Sequence, residues 1–531
     1  MSNRAVTRAA RGPVGSSEWI TEASTVGQYL EDAAHVPGGH SPALVFPRSE
    51  REVADVLRAS ERVLVVGAQS SLTGGATPRG DLLLSTARLR TIEPLPDGRL
   101  RVGAGVTIAE VDALLSSLGA LYPPGPTWPG ATIGGTIATN AAGPATFKYG
   151  STRAWIDALT VVLASGDVLD VVRGAVTASD EGWFEIDTQG TVVRVPVPSY
   201  RMPDVLKLSA GYFAAPGMDL IDLFVGSEGT LGVVTEATLR VVTDRPATAL
   251  VLVTFRDRAR CLACVDEMRT ASRKTWRTDD PFGLDVSAIE HMDKRCLDVL
   301  REDGVDVRLG LALDPEAEMA LLIAVDLPAG TSTDEGYAQL MGDERGPLSA
   351  LAARLGAFGL LDEAIVSMPG DLAGAERLIA LREAVPVAVN QRVGKAARDV
   401  DPRISKTAAD IIVPAEHLAE LLERFDEACA DHSLDGAVWG HISDGNLHPN
   451  VMPRSVAEWN AAREVIVAMG EAAIDLDGSP LAEHGVGRNP TKQALLRSLY
   501  GDAAIEEMRA VKQALDPRGV LGRGVIFEWT D

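Results

Sequence analysis

The run Trp439-Gly-His-Ile-Ser-Asp-Gly-Asn-Leu-His-Pro449 constrains the fold of this chain more than any other segment. An Asp-Gly pair between two β-like runs is a strong signal for a two-residue hairpin turn, whose central positions need positive φ. With Asp444-Gly445 as the turn, Ser443 faces Asn446, Ile442 faces Leu447, and His441 stands opposite His448. Opposed residues project from one face with Cβ atoms about 4.5–5.5 Å apart. The second half of the chain then contains antiparallel strands, and two imidazoles on one face suit a divalent metal. Of the 8 histidines, three lie in this run and in Glu483-His484, which offers a carboxylate and a third imidazole. A stacked histidine pair and an ordinary loop are the structural alternatives.

Composition narrows the class. The 531 residues allow roughly two to four domains. With 46% apolar residues the chain can bury a sizeable core. A net charge of −24, from 50 basic and 74 acidic residues, argues against nucleic acid as a partner. It leaves room for small anions, which need only a local basic pocket. Cys261, Cys264, Cys296 and Cys429 are too few and scattered for a disulfide framework and fit a reducing compartment, so a cytoplasmic location is expected. No apolar run reaches the about 18–20 residues of a membrane span. The first 15 residues carry Arg4, Arg8 and Arg11 without the apolar core of a secretory signal, and read as a disordered tail.

Short β-like runs alternate with helical segments from Ala43 to about Val242, as in Arg62–Val66, Leu82–Ser85, Leu159–Ala164 and Gly232–Val242. Thr107 and Glu110 form a T-x-x-E capping box at a helix start. Residues 174–218 are irregular and read as an insertion. From about Thr248 strand-like runs such as Ala320–Leu327 alternate with longer helical ones. The pattern is α+β, with four expected segments: a tail and first helix (1–39), a first domain (40–245), a second domain (246–488) and a C-terminal helical segment (489–531).

Three small-residue loops fall in the first domain. Gly67-Ala-Gln-Ser-Ser-Leu-Thr-Gly-Gly75 follows a strand; successive N–H groups there form an anion nest, and Ser70, Ser71 and Thr73 add hydroxyls. It is not a P-loop, because no Lys-Ser/Thr follows Gly74. Gly130–Gly143 and Gly226–Gly232 are the second and third. Small side chains let a planar ligand lie against backbone; tight packing is the alternative for each loop alone.

Together these loops, with Tyr149-Gly-Ser-Thr-Arg153, Gly440–His448 and Glu483-His-Gly-Val-Gly487, resemble the vanillyl-alcohol oxidase / p-cresol methylhydroxylase flavoprotein superfamily. Within it the chain is similar to the FAD-linked D-2-hydroxyacid dehydrogenases: D-lactate, glycolate and D-2-hydroxyglutarate dehydrogenases. The resemblance runs from about residue 40 to the C-terminus. It implies an FAD-binding domain of the vanillyl-alcohol oxidase type, an α+β substrate (cap) domain carrying a metal site, and C-terminal helices near the flavin.

For the residues, the resemblance implies the following. Gly67, Gln69, Ser70, Ser71, Leu72, Thr73 and Gly74 hold the FAD pyrophosphate. Thr132, Gly134, Gly135, Thr139, Asn140, Gly143, Gly150, Thr152, Glu228, Gly232 and Val233 complete the cofactor site. No histidine lies between His40 and His291 to tether the flavin, so the FAD is expected to be non-covalent. His441, His448 and Glu483 match metal ligands, for zinc or manganese. His484 matches the base, Arg382 the arginine that grips the substrate carboxylate, and Lys406 a further substrate contact. Ala482 and Gly522-Arg523-Gly524 depart from the usual pattern near the flavin.

The expected activity is oxidation of a small D-2-hydroxy acid to the 2-oxo acid. Electrons then leave to an electron-transfer flavoprotein, a quinone or a cytochrome, since no iron–sulfur cysteine set is present. A homodimer is compatible with this reading. Two rival readings stand beside it: an alkyl-glycerone-phosphate synthase-like FAD transferase, and a colourless metal-dependent hydrolase or binding protein whose glycine loops are structural.

Overall fold

The strand Val233–Leu239 alternates buried and half-buried residues along its length, which places it in a sheet with one covered face. It lies between Ile156–Val162 and Leu100–Gly103 in an eight-stranded sheet. The structure is a computed structural model and describes residues 4–13, 17–188 and 191–529. Those residues divide into two compact units. One takes the described parts of Met1–Gly143, Gly150–Thr243 and Leu481–Asp531; the other takes Pro144–Tyr149 and Asp244–Pro480.

In the first unit the expected N-terminal tail is corrected. Ala5–Arg8 is a strand, antiparallel to Val168–Val172 and parallel to Trp183–Thr188. Arg8 explains why: its guanidinium bridges Glu50 and Asp170, so this segment is anchored by charge as well as by the ladder. The 174–218 segment is likewise part of the fold. Its hairpin Trp183–Thr188 and Thr191–Pro196 forms the edge of the sheet. A second sheet of three parallel strands, Leu44–Val45, Leu82–Ser85 and Val63–Val66, carries the first glycine loop at the end of Val63–Val66. The C-terminal segment returns to it, with Val63 N–H donating to Val520 O and Gly522 N–H to Val63 O.

The second unit is built on another eight-stranded sheet. Its central run is Ala247–Phe255, Met319–Leu327, Val286–Asp293, Gly436–His441 and Asn446–Val451. Arg258–Thr278, Leu418–Asp431 and Val456–Asp475 pack on one face through Cys261, Cys264, Phe425 and Met469. Leu372–Asp399 and Lys294–Glu302 cover the other through Leu378, Leu381, Val385 and Leu297. Cys261 and Cys264 are therefore core residues, one helical turn apart.

The hairpin forms, with a different register. His441 pairs with Asn446, Gly440 with Leu447 and Trp439 with His448, so four residues, Ile442–Gly445, make the connection. A neighbouring strand and helix decide this: Ser443 Oγ accepts the N–H of Ile289, and Ser443 O accepts Nε–H of Arg269 from the helix Arg258–Thr278. A slip of one residue would turn every side chain over. The register differs by two, so both histidines stay on one face.

Candidate active site

The three glycine loops of the first unit share a strained feature. Gln69, Asn140 and Glu228, one in each loop, have φ of 52°, 49° and 50°. Non-glycine residues in this left-handed region cost about 1–3 kcal/mol and persist only where the surroundings hold them. Here the side chains do the holding. Gln69 Nε2 donates to Tyr29 O and Ala76 O. Asn140 donates to Leu208 O and accepts from Arg153 N–H. The Glu228 carboxylate accepts the N–H groups of Val486 and Gly487, each at 2.8 Å.

The first loop fits a pyrophosphate. Among the described residues the amides of Ser70, Ser71 and Leu72 donate to no protein acceptor, which leaves them for an anion. Thr132 caps the helix Ile133–Thr139 by accepting from Gly135 N–H. Space beside it is tight: a Cβ on Gly67 would meet Thr132 Oγ1 at 2.4 Å, and one on Gly232 would meet Val161 at 2.4 Å. A cavity bounded by Val65, Gly67, Gly134, Gly135 and Gly232 opens beside Glu228. Thr139 gives its carbonyl to Ser209 Oγ, and Val233 starts its strand. Gly143 packs on Gly125 O and Gly150 has φ of 75°. Thr152 is buried with its hydroxyl on Ala141 O. The residues present fit FAD, which would be held by the first loop and the walls of this cavity.

The segment Lys207–Tyr212, which sequence reasoning passed over inside the 174–218 run, joins these loops. Leu208 O and Ser209 Oγ bind Asn140 and Thr139; Tyr212 OH meets Thr230 Oγ1 at 2.7 Å. Lys207 is fully buried and its Nζ donates to Glu483 Oε2 at 3.1 Å. His484 Nε2 lies 3.4 Å from Glu483 Oε1. Just beyond, Arg488 donates to Thr77 O, Asp81 and Arg523 O, and so fixes the end of the Glu483–Arg488 loop. On the far side, buried Lys512 donates to Thr230 O, Leu521 O and Asp516. Burial pulls its pKa down to about 8.

In the second unit one sheet face carries the imidazoles. Glu290 is paired directly with His441 across adjacent strands, and its carboxylate binds His441 Nδ1. A metal bound to His441 would then be held through Nε2. The His441 and His448 ring centroids are 5.5 Å apart, with planes at 88°. Thr407–Ala408 and Ile411–Ile412 both pair with Asn446–Val451 in one continuous register, which sets Asp410 across from His448. His448 Nδ1 is 3.6 Å from Asp410 Oδ1. Two imidazoles with carboxylates beside them are a donor set that fits zinc or manganese. Arg382, on the helix Leu372–Asp399, gives its Nε to Glu290 at 2.6 Å, so its guanidinium and His441 share one carboxylate. Lys406 is exposed on the loop before Thr407.

Sequence reasoning missed Glu290, Asp410 and Lys207. Asp410 lies close to Lys406 in the chain, but only strand pairing reveals that it faces a histidine.

A model for the C-terminal domain of FAD linked oxidases matches residues 247–526, and one for an FAD binding domain matches residues 41–171. The chain is 30% identical to a D-2-hydroxyglutarate dehydrogenase of Xanthomonas citri pv. viticola, over 92% of this chain and 90% of that one. It is 27% identical to a D-lactate dehydrogenase of Archaeoglobus fulgidus, over 96% and 99%. Among solved structures, a 4-ethylphenol oxidase from Gulosibacter chungangensis in complex with isoeugenol shares the fold: TM-score 0.63, 16% identity, 97% of this chain and 94% of that one covered.

Proposed function

The chain belongs to the FAD-linked oxidases, and from that premise we propose that it oxidises a D-2-hydroxy acid to the 2-oxo acid. The observation that carries the proposal is the cluster in which Arg382 and His441 share the carboxylate of Glu290, with His448 on the same face. A guanidinium binds a carboxylate in bidentate fashion. With Nε held by Glu290, the outer N–H groups of Arg382 are presented in a fixed direction to grip the substrate carboxylate and orient its C2.

The reaction removes a proton from the hydroxyl and a hydride from C2. His484 takes the proton; an imidazole serves as a general base in its unprotonated form, close to the group it deprotonates. Lys207 holds the adjoining Glu483 carboxylate, so the backbone that carries His484 is anchored beside it. FAD, when bound, supplies the hydride acceptor. A divalent ion, zinc or manganese, would be held by His441 and His448, and would supply a Lewis acid that lowers the hydroxyl pKa. Lys406 contributes a further cation toward the substrate. Electrons leave to an electron-transfer flavoprotein, a quinone or a cytochrome, in the cytoplasm. Among the described residues no helix is long and apolar enough to cross a membrane.

The test is an anaerobic visible spectrum of the purified protein with D-lactate, glycolate, D-malate or D-2-hydroxyglutarate. Bleaching of the flavin band by one of them is expected. A flavin that none of the four reduces refutes the substrate class.

A further inference from the structure

Glu228 is expected to touch the cofactor and lines the cavity between the glycine loops, and its carboxylate has a second task. Both oxygens are taken: Oε1 accepts Val486 N–H and Oε2 accepts Gly487 N–H. The residue sits in the third glycine loop at a φ of 50°, a conformation glutamate adopts only when held there. The loop it grips is the one that begins with Glu483-His484.

That loop has little freedom elsewhere. A Cβ on Gly485 would stand 2.9 Å from Glu228 Oε1, and one on Gly487 would stand 2.1 Å from Thr73 Oγ1. Arg488 N–H donates to Thr73 O, and Ile526 N–H to Gly487 O. The peptide is thus clamped between the first and third glycine loops, both of which line the cavity. Glu228 is the one charged group in this clamp that comes from the third loop. Two amides on a half-buried carboxylate form charge-assisted hydrogen bonds, stronger than their neutral counterparts.

We propose that Glu228 is a positioning residue: by gripping the Val486–Gly487 peptide it fixes where the imidazole of His484 stands relative to the flavin loops. The proposal rests on His484 as the proton acceptor. It predicts that Glu228 acts through His484 and leaves the affinity for FAD alone. Glu228 is one of a dozen residues that line the cavity, whereas both of its carboxylate oxygens are taken up by the His484 loop.

The experiment uses the FAD-loaded full chain and its variants Glu228→Gln, Glu228→Asp, His484→Asn and the Glu228→Gln/His484→Asn double. FAD content, hydrogen exchange of the 483–488 peptide, and kcat and KM for flavin reduction are measured. In Glu228→Gln one amide N–H meets an NH2 group in place of an acceptor. Its FAD content should be unchanged, its 485–488 amides should exchange faster, and kcat should fall by about tenfold to a hundredfold, the effect of a small misplacement at a reacting group. KM should stay near the wild-type value. Glu228→Asp, which keeps the charge, should recover part of the rate. The double variant should be no slower than His484→Asn.

Loss of FAD as the first defect of Glu228→Gln, a wild-type rate, or additive losses in the double variant would each overturn the proposal. If His484→Asn reacts at the wild-type rate, the assignment of the base fails instead. If no hydroxy acid bleaches the wild-type flavin, the exchange measurement still decides the clamp: unchanged exchange in Glu228→Gln refutes it.

Discussion

Replacing Glu290 by glutamine gives the most direct test of the imidazole face. Glu290 is buried, and its two oxygens bind His441 Nδ1 and Arg382 Nε. The amide keeps the shape and removes the charge, and its NH2 must face one of two N–H donors. Hydrogen bonds to charged groups contribute about 1.5–3 kcal/mol each. Breaking a buried ion pair by removing one charge costs about 3–5 kcal/mol. A fold of this size has room for that loss, so Glu290→Gln should still fold, with a lower denaturant midpoint. The functional effect comes through His441. A partner that holds the non-ligating nitrogen of a metal histidine is worth about 10–100-fold in affinity, or about 1.4–2.7 kcal/mol. The assay is titration of the metal-stripped, FAD-loaded protein with Mn2+, read as free Mn2+ by electron paramagnetic resonance. KM for the bleaching acid is measured in parallel, since Arg382 loses its tether and should bind the carboxylate more weakly. Unchanged Mn2+ affinity together with unchanged KM would refute the reasoning that Glu290 orients both groups.

Three further outcomes are expected. Lys512→Met leaves Asp516 and two carbonyls without their buried ammonium, and should cost about 3–5 kcal/mol in urea denaturation; a loss below about 1 kcal/mol contradicts the role assigned to the pair. Burial raises the Glu228 pKa from 4.5 to about 7, against the pull of its two amide hydrogen bonds. The folded protein then holds more protons than the unfolded one between those values, so this group's contribution to stability falls as pH rises from 4.5 to 7 and is level above. The wild type should lose up to about 3 kcal/mol relative to Glu228→Gln across that window, and parallel curves would show the shift is absent. Finally, chelation should abolish bleaching by the hydroxy acid while the protein stays yellow, and Mn2+ or Zn2+ should restore it; bleaching that survives complete metal removal excludes a catalytic ion.

Much of the site was legible because its signals are local. Gly67–Gly75 is legible as a candidate anion loop from its composition: small residues and hydroxyls after a strand, where backbone can approach an anion. His441 and His448 announced themselves through an Asp-Gly turn between β-like runs, and their common face survived the register change because a shift of two preserves the alternation of a strand. The turn length itself was not legible. It was set by Ser443 bonding to Ile289, 154 residues away, and by Arg269 capping its carbonyl. The N-terminal strand was missed for a similar reason. Four residues with two arginines carry no periodicity, and their place in the sheet depends on Glu50 and Asp170.

The sequence by itself determined the family, the α+β class, the three small-residue loops and the histidines. Each is a property of contiguous residues, where spacing and side-chain type state the chemistry. Tertiary structure decided which carboxylates and cations attend them. Lys207 meets Glu483 across 276 positions, and Glu228 meets Val486 across 258. Asp410 reaches His448 only through a strand register. A buried charge is tolerated where folding brings its partner, and a partner hundreds of residues away leaves no local pattern to read.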